Sequence, residues 1–321
     1  MLMKMIWSMR MMISFPELQE KWDKITNTAE NYILVSGDHT LSFHIGYNNL
    51  KQRSFVVYNT GKIDDIPNSK SISAKCINAD SGVYSLQFSL QYLSLSEMFT
   101  LLCWDLMDNS DLETGAINAL IERYKKWQKL LQKASVSLLS NNDIKGLIGE
   151  LLFLSQYIEL YGEEKSILGW LGPDGADQDY IFPDCWFEIK ATTISANEVG
   201  ISSLQQLERT DNGRLVVYFM DKTSPNDPTA CSLASVMSEI DTKLKSQKMR
   251  DKFWCKLAQK GCLKYQIERY FEPKYRISES RIYNVAISFP RLSRANVPPE
   301  VTTVKYSLSL AAIEKYRIQR K

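Results

Sequence analysis

The stretch "DYIFPDCWFEIK", residues 179–190, constrains the fold of this chain more than any other. Bulky aromatic and β-branched residues flank Pro183-Asp184, the chemistry of a tight turn between two strands. With Pro183-Asp184 as a two-residue turn, Phe182 faces Cys185, Ile181 faces Trp186, Tyr180 faces Phe187 and Asp179 faces Glu188. Side chains alternate faces along a strand, so Trp186, Glu188 and Lys190 share a face with Ile181 and Asp179. Strands are ordinarily poor in Asp and Glu. Here two acids stand opposite each other, where Cβ atoms lie about 4.5–5.5 Å apart. They repel unless a cation lies between them or one of them takes a proton. In the same register Asp177 would lie opposite Lys190. The pattern asks for a divalent cation between Asp179 and Glu188, with the Lys190 ammonium beside it.

Such a site suits phosphodiester chemistry. Mg²⁺ takes oxygen ligands, keeps several waters, and is held by one or two carboxylates together with phosphate oxygens. It polarises the phosphate and lowers the pKa of water, and a nearby lysine can orient that water or stabilise the charge building on the phosphate. A third acid lies upstream in "DIKGLIGELLFL" (143–154), where Glu150 is surrounded at helical spacing by Gly146, Leu147, Phe153 and Leu154. A carboxylate beside an apolar face is costly unless paired or ligating metal. Two readings stay open for it: a third metal ligand, or an acid at the edge of the stripe that reaches water.

Around this hairpin the chain reads as two parts. After a short helix at 16–27, five β-like runs (32–37, 40–47, 53–59, 71–78 and 83–91) are punctuated by Gly, Asn, Asp and Pro, as in a small antiparallel sheet. Helical stretches at 94–109 and 112–134 follow, the second with Ile117, Leu120, Ile121, Tyr124, Trp127 and Leu131 on one stripe. "SVSLLSNND" (135–143) is the natural boundary, with Asn141 to Asp143 supplying N-cap chemistry for the next helix. We therefore expect an N-terminal β-rich α+β domain over 1–136 and a second domain over 137–321. The second alternates helix 143–160, the hairpin 178–193, a strand near 198–202, a short helix 203–209 and a strand 214–220. Helices near 230–247 and 249–260, ended by Gly261, and strands near 281–288 and 302–310 complete it. That is an α/β arrangement around a central mixed sheet flanked by helices. Gly172, Pro173 and Gly175 shape the turn feeding the hairpin.

Read together, "GLIGELLFL" (146–154), "GWLGPDGADQDYIF" (169–182), "FEIKATT" (187–193) and "ISSLQQLER" (201–209) resemble a bacterial PD-(D/E)xK family associated with restriction-type defence loci. The resemblance is strongest over 141–220. It implies a restriction-endonuclease-like core, with Glu150, Asp179, Glu188 and Lys190 as the catalytic set and Gln206 as an auxiliary. It further implies Mg²⁺ as cofactor, with Mn²⁺ able to substitute, and in-line hydrolysis leaving a 3′-hydroxyl and a 5′-phosphate. Gln206 also fits N3 of a capping box that begins at Ser203. One departure stands out: Gln178, not proline, precedes Asp179, and the literal Pro-Asp pairs at 173–174 and 183–184 fall elsewhere. Asp184, three residues before Glu188, is read as the tip of the turn rather than as a ligand.

Charge points to the partner. The net +2 of the chain hides an excess in residues 243–321, which hold 19 Lys and Arg against 6 Asp and Glu. Lys243, Lys245, Lys248, Arg250, Lys252, Lys256, Lys260 and Lys264 are interleaved or followed by tyrosines, as expected of a surface that contacts the phosphates of DNA. The expectation is a metal-dependent DNA endonuclease of restriction or defence type. It would act as a homodimer for double-strand cleavage and alongside other proteins of a defence locus. The alternative is a non-catalytic DNA-binding or assembly subunit that uses the basic surface and not the acids, and a third reading is an RNA-processing nuclease.

Other features exclude more than they assert. Six cysteines without a C-x-x-C pair and only two histidines, His39 and His44, argue against zinc and for buried thiols in a reducing cytoplasm. No phosphate-cradling G-x-x-x-x-G-K motif is present, so the chain carries no ATPase motor of that type. No apolar run reaches the roughly 18 residues that span a membrane. The opening "MLMKMIWSMRMMIS" lacks the core and cleavage site of a signal peptide, and reads as translation from an upstream start codon.

Overall fold

The alternation of apolar and polar residues between 31 and 90 yields five short strands, and the 3.6-residue periodicity on either side yields helices. In the computed structural model, which describes residues 13–36, 41–64, 66–78, 82–109, 116–134 and 139–318, the chain divides into two units, Met1–Ser137 and Leu138–Lys321.

In the first unit α1 (Phe15–Lys24) begins at a capping box, Ser14 accepting from the Glu17 amide while the Glu17 carboxylate accepts from the Ser14 amide. Strands β1 (Asn31–Ser36), β2 (Ser42–Tyr47), β3 (Arg53–Tyr58), β4 (Ile72–Asn78) and β5 (Tyr84–Leu90) form an antiparallel sheet in the order β1-β2-β3-β5-β4. Two helices follow, α2 (Ser96–Asp108) and α3 (Ala116–Ala134). The Phe88 ring of β5 meets Tyr124 of α3 at 4.5 Å, so α3 packs on the sheet, and Trp22 of α1 meets Phe99 of α2 at 5.6 Å. His44 stands edge-on to Tyr58 at 4.7 Å. His39 and the methionine-rich start lie outside the described residues.

In the second unit α4 (Asn141–Tyr161) and α5 (Glu163–Gly169) precede β6 (Tyr180–Ile181), β7 (Trp186–Thr192), β8 (Glu198–Ile201) and α6 (Gln205–Glu208). Then come β9 (Gly213–Lys222), α7 (Leu233–Lys243), α8 (Gln247–Gln259), β10 (Tyr275–Val285), β11 (Tyr306–Ser309) and α9 (Leu310–Ile313). The central sheet runs β10-β9-β7-β6, with β7 and β9 parallel and the other neighbours antiparallel. It is the mixed sheet that the pattern called for. Both its faces are covered, which explains why β9 is nearly continuous in apolar residues. Phe187, Ile189, Val216, Tyr218 and Met220 pack with residues of α4, α7 and α8. Trp186, Leu215, Val217 and Phe219 pack with Val199, Ile201, Leu207, Leu308 and Ile313 on the opposite face.

Local differences from the sequence reading have physical causes. The cap of α4 is Ser140 rather than a residue of Asn141–Asp143: the Ser140 hydroxyl accepts from the Asp143 amide and the Asp143 carboxylate from the Ser140 amide, so the helix starts at Asn141, two residues before the expected start at 143. The 198–202 strand does not join the central sheet; β8 pairs with β11 in a separate two-stranded sheet. Helix α5 was not expected, because Gly162 (φ +85°) ends α4 and the seven residues after it are too few to show a period. Among the described residues no helix is long and apolar enough to cross a membrane.

Candidate active site

The β6–β7 hairpin has the register that the Pro183-Asp184 turn implies. Tyr180 pairs with Phe187, Ile181 with Trp186, and the Phe182 amide donates to the Cys185 carbonyl at 2.8 Å. Asp184 is exposed at the tip, where its carbonyl accepts from Asn212. Glu188 and Lys190 are two residues apart and so point to the same side of β7. Glu188 is only 1% exposed. One of its oxygens, Oε1, lies 2.8 Å from Lys190 Nζ; the other, Oε2, is buried with no hydrogen-bond partner. Lys190 also donates to Gln206 Oε1 at 3.1 Å, and that oxygen accepts from the Ser202 amide at 2.8 Å. Gln206 therefore ties down the start of α6 and the lysine with the same atom, rather than closing a box on Ser203.

Asp179 reaches the hairpin through a turn. Its carbonyl accepts from the amides of Leu171 and Gly172 at 2.8 and 2.9 Å, while its Oδ2 accepts from the Ile189 amide at 2.8 Å. The carboxylate is thus held across the ladder, next to Glu188. Asp177 is exposed, and no hydrogen bond or ion pair joins it to Lys190. The short 3₁₀ turn Gly172–Asp174 makes this close approach possible. A Cβ on Gly172 would stand 2.8 Å from Asp179 Oδ1 and 3.5 Å from Glu150 Oε2, so a side chain there would press on both acids. Gly175 (φ +85°) then turns the chain toward the hairpin in a conformation that glycine adopts without strain.

Glu150 is buried in the middle of α4, with 8% of its surface exposed. Its Oε2 accepts from the Trp170 indole at 2.8 Å, its Oε1 from Lys260 Nζ at 3.0 Å, and its backbone carbonyl from the Tyr180 hydroxyl at 2.9 Å. The field is set by three acids and two ammonium groups. Burial, then the charges of Glu188 and Glu150, push Asp179 well above the usual carboxylate range, against Lys260 and the Ile189 amide. Burial pushes Glu188 up to about 7 although the Lys190 ammonium pulls it down. Burial alone would lower Lys260, but Glu150, Asp179 and Glu188 outweigh it and hold the ammonium above its usual value.

These residues fit a divalent cation in part. The unpartnered Glu188 Oε2 and the neighbouring Asp179 offer the two carboxylates that Mg²⁺ takes when water and phosphate complete its shell. Among the described residues no group of three or more His, Cys, Asp or Glu side chains is placed to hold a metal ion. Glu150, expected as a third ligand, has both oxygens engaged by Trp170 and Lys260 instead.

The basic residues separate into two groups. Lys256 and Lys260, expected on a DNA-binding surface, belong to the interior side of α8. Lys256 is 7% exposed, donates to the Trp170 carbonyl at 2.6 Å and pairs with Asp174. Lys243 pairs with Glu159 and Glu239, and Arg250 bonds the Leu244 carbonyl and Gln247. Lys245, Lys248 and Lys264 are exposed, Lys264 over the Trp254 ring at 5.1 Å, and Lys252 is half-buried. A count of charges hides this division; the helical spacing shows it. Met249, Phe253, Lys256, Leu257 and Lys260 lie on one stripe, and three of the five are apolar. That stripe was the available signal for Lys260, which the sequence reading had placed on the surface. No comparable signal marks Trp170.

The mixed central sheet, with β7 parallel to β9 and helices on either side, is consistent with a restriction-endonuclease-like fold. From the sequence side, residues 18–311 match the family model described as "Putative PD-(D/E)XK family member, (DUF4420)", and the chain belongs to that family. Neither the curated proteins nor the solved structures yield a significant match. PD-(D/E)xK proteins are characteristically nucleases, and their usual cofactor is a divalent metal.

Proposed function

We propose that this chain is a Mg²⁺-dependent DNA endonuclease of a restriction or defence system. The observation that supports the reading best is Glu188. A carboxylate oxygen with no partner, buried beside a second acid, is costly in a purely structural role and useful in a metal site. Asp179 and Glu188 would hold Mg²⁺, or Mn²⁺ in its place, and the ion would supply charge stabilisation and lower the pKa of water. Lys190, fixed between Glu188 and Gln206, orients the attacking water and stabilises the negative charge that develops on the phosphate. Glu150, held by Trp170 and Lys260, assists by shaping the field around Asp179. In-line attack of water on phosphorus breaks the bond to the 3′ oxygen and leaves a 3′-hydroxyl and a 5′-phosphate. One such centre cuts one strand, so double-strand cleavage calls for a homodimer. Proteins of the same defence locus are the partners in this reading, and DNA contacts come from exposed cations such as Lys245, Lys248 and Lys264.

The test is incubation of the purified protein with supercoiled plasmid and, in parallel, with structured RNA, with and without Mg²⁺. Plasmid nicking that needs Mg²⁺ and disappears in Asp179→Asn is the expected result. DNA binding without cleavage in Mg²⁺ or Mn²⁺ would make the chain a non-catalytic subunit, and preferential cutting of the RNA would make it an RNA-processing enzyme.

A further inference from the structure

Lys260 is not part of the Glu, Asp, Glu-x-Lys set, yet its ammonium sits among the same acids. It comes from the C-terminal end of α8, far from the hairpin in sequence, and bonds Glu150 Oε1 at 3.0 Å within the field of Asp179 and Glu188. Its position is enforced from one turn earlier on the same helix. Lys256 donates to the Trp170 carbonyl and pairs with Asp174, so α8 is fastened to the Trp170–Asp174 segment. That segment also carries the indole that bonds Glu150 and the Gly172 that abuts Asp179. Two links from Lys256 therefore hold α8 where Lys260 must meet the acids. Its side chain is 27% exposed, so it is not sealed in. Lys190, by contrast, is committed to Glu188 and Gln206.

We propose that Lys260 is a positioning residue that acts as a resident counter-ion. Its ammonium neutralises the Glu150, Asp179 and Glu188 cluster in the metal-free protein and opposes the divalent cation for those same carboxylates, so that it sets the affinity of the metal site. The inference rests on the metal-dependent reading of that site. Its physical basis is charge. With the three carboxylates ionised, as metal binding requires, they and the two ammonium groups sum to a single negative charge, and a divalent ion must bind there against Lys260 at short range. Removing the ammonium leaves two net negative charges to receive the metal.

The experiment is calorimetric titration of the wild type, Lys260→Met and Lys260→Arg with Mg²⁺ and Mn²⁺, without nucleic acid, together with melting curves in chelator and in metal. Lys260→Met is expected to bind metal about tenfold or more tightly than wild type. It should melt lower in chelator and gain more from added metal, while Lys260→Arg stays close to wild type in both. The paired variant Lys260→Met/Glu150→Gln removes one charge of each sign, so it should keep the fold and bind metal at near wild-type affinity even if the single variant unfolds. Equal or weaker metal binding by Lys260→Met, or a tenfold gain in the paired variant, would overturn the proposal while leaving the metal site intact. Failure of the wild type to bind either metal would instead remove the metal-dependent reading and this inference with it.

Discussion

Asp105 in the first unit and Glu188 in the second are buried to the same degree, 2% and 1% exposed, and are treated in opposite ways. Asp105 is saturated with donors. Arg123 reaches both of its oxygens at 2.6 and 2.8 Å, the Trp127 indole one at 2.6 Å and Asn109 the other at 2.9 Å. Glu188 has a single donor, Lys190, and one oxygen with none. A carboxylate kept for the fold is surrounded until its lone pairs are used; a carboxylate kept for chemistry is left with one available. The contrast supports the proposed role of Glu188 without reference to any motif, because an unmet buried oxygen costs stability that must be offset elsewhere.

The comparison breaks most visibly at Asp179. Asp179→Asn keeps an acceptor for the Ile189 amide but removes a charge that Glu188 and Glu150 repel. Loss of several kcal/mol of transition-state stabilisation corresponds to about a thousandfold in rate, so Mg²⁺-dependent cleavage should vanish in a plasmid assay. The metal-free melting temperature should stay level or rise. At Asp105 the outcome is reversed: Asp105→Ala strands a largely buried Arg123 and should destabilise the first unit by about 3–5 kcal/mol in denaturant titration. If Asp179→Asn proves as destabilising as Asp105→Ala, the two acids have the same role and the contrast fails.

Acidity sharpens the same point. Burial raises Glu188 from the ordinary 4.5 to about 7, and Asp179 moves in the same direction. Between roughly pH 4.5 and 7 the folded protein then binds more protons than the unfolded chain, so stability falls as pH rises through that window and levels off above it. For Glu188 the loss is at most about 3 kcal/mol. Melting curves in chelator should show this decline and saturating Mg²⁺ should flatten it, since the metal takes the ionised form. A metal-free protein that gains stability across the window would contradict the assignment. The smallest effect belongs to Asp184, exposed at the turn: Asp184→Asn should leave cleavage within a few-fold and stability within about 0.5 kcal/mol of wild type.

The hairpin was legible because a Pro-Asp turn fixes the offset between two alternating runs, and the alternation then places every side chain. From that register followed Asp179 opposite Glu188 and Lys190 beside it. Glu150 was legible as an acid at an apolar face, though not the identity of what satisfies it, since Trp170 and Lys260 come from segments 20 and 110 residues away. The burial of Lys256 and Lys260 is not legible in the net charge of their segment, because burial is decided residue by residue around a helix. Both strands of the β8–β11 sheet were legible, but not their pairing with each other. Glu198–Ile201 and Tyr306–Ser309 are four-residue strands that carry no local sign of each other.

The 110-residue separation of Glu150 from Lys260 also has a meaning in time. A ribosome adds about 5–20 residues per second, so the acids of the site leave the tunnel of the order of ten seconds before the lysine that neutralises one of them. During that interval the nascent chain carries a cluster of negative charge whose closing contact has not yet been made. Helix α8, with Lys256 to anchor it and Lys260 to meet Glu150, is the last part of the centre to be synthesised. The finished charge balance is therefore a property of the docked helix, and no shorter nascent chain possesses it.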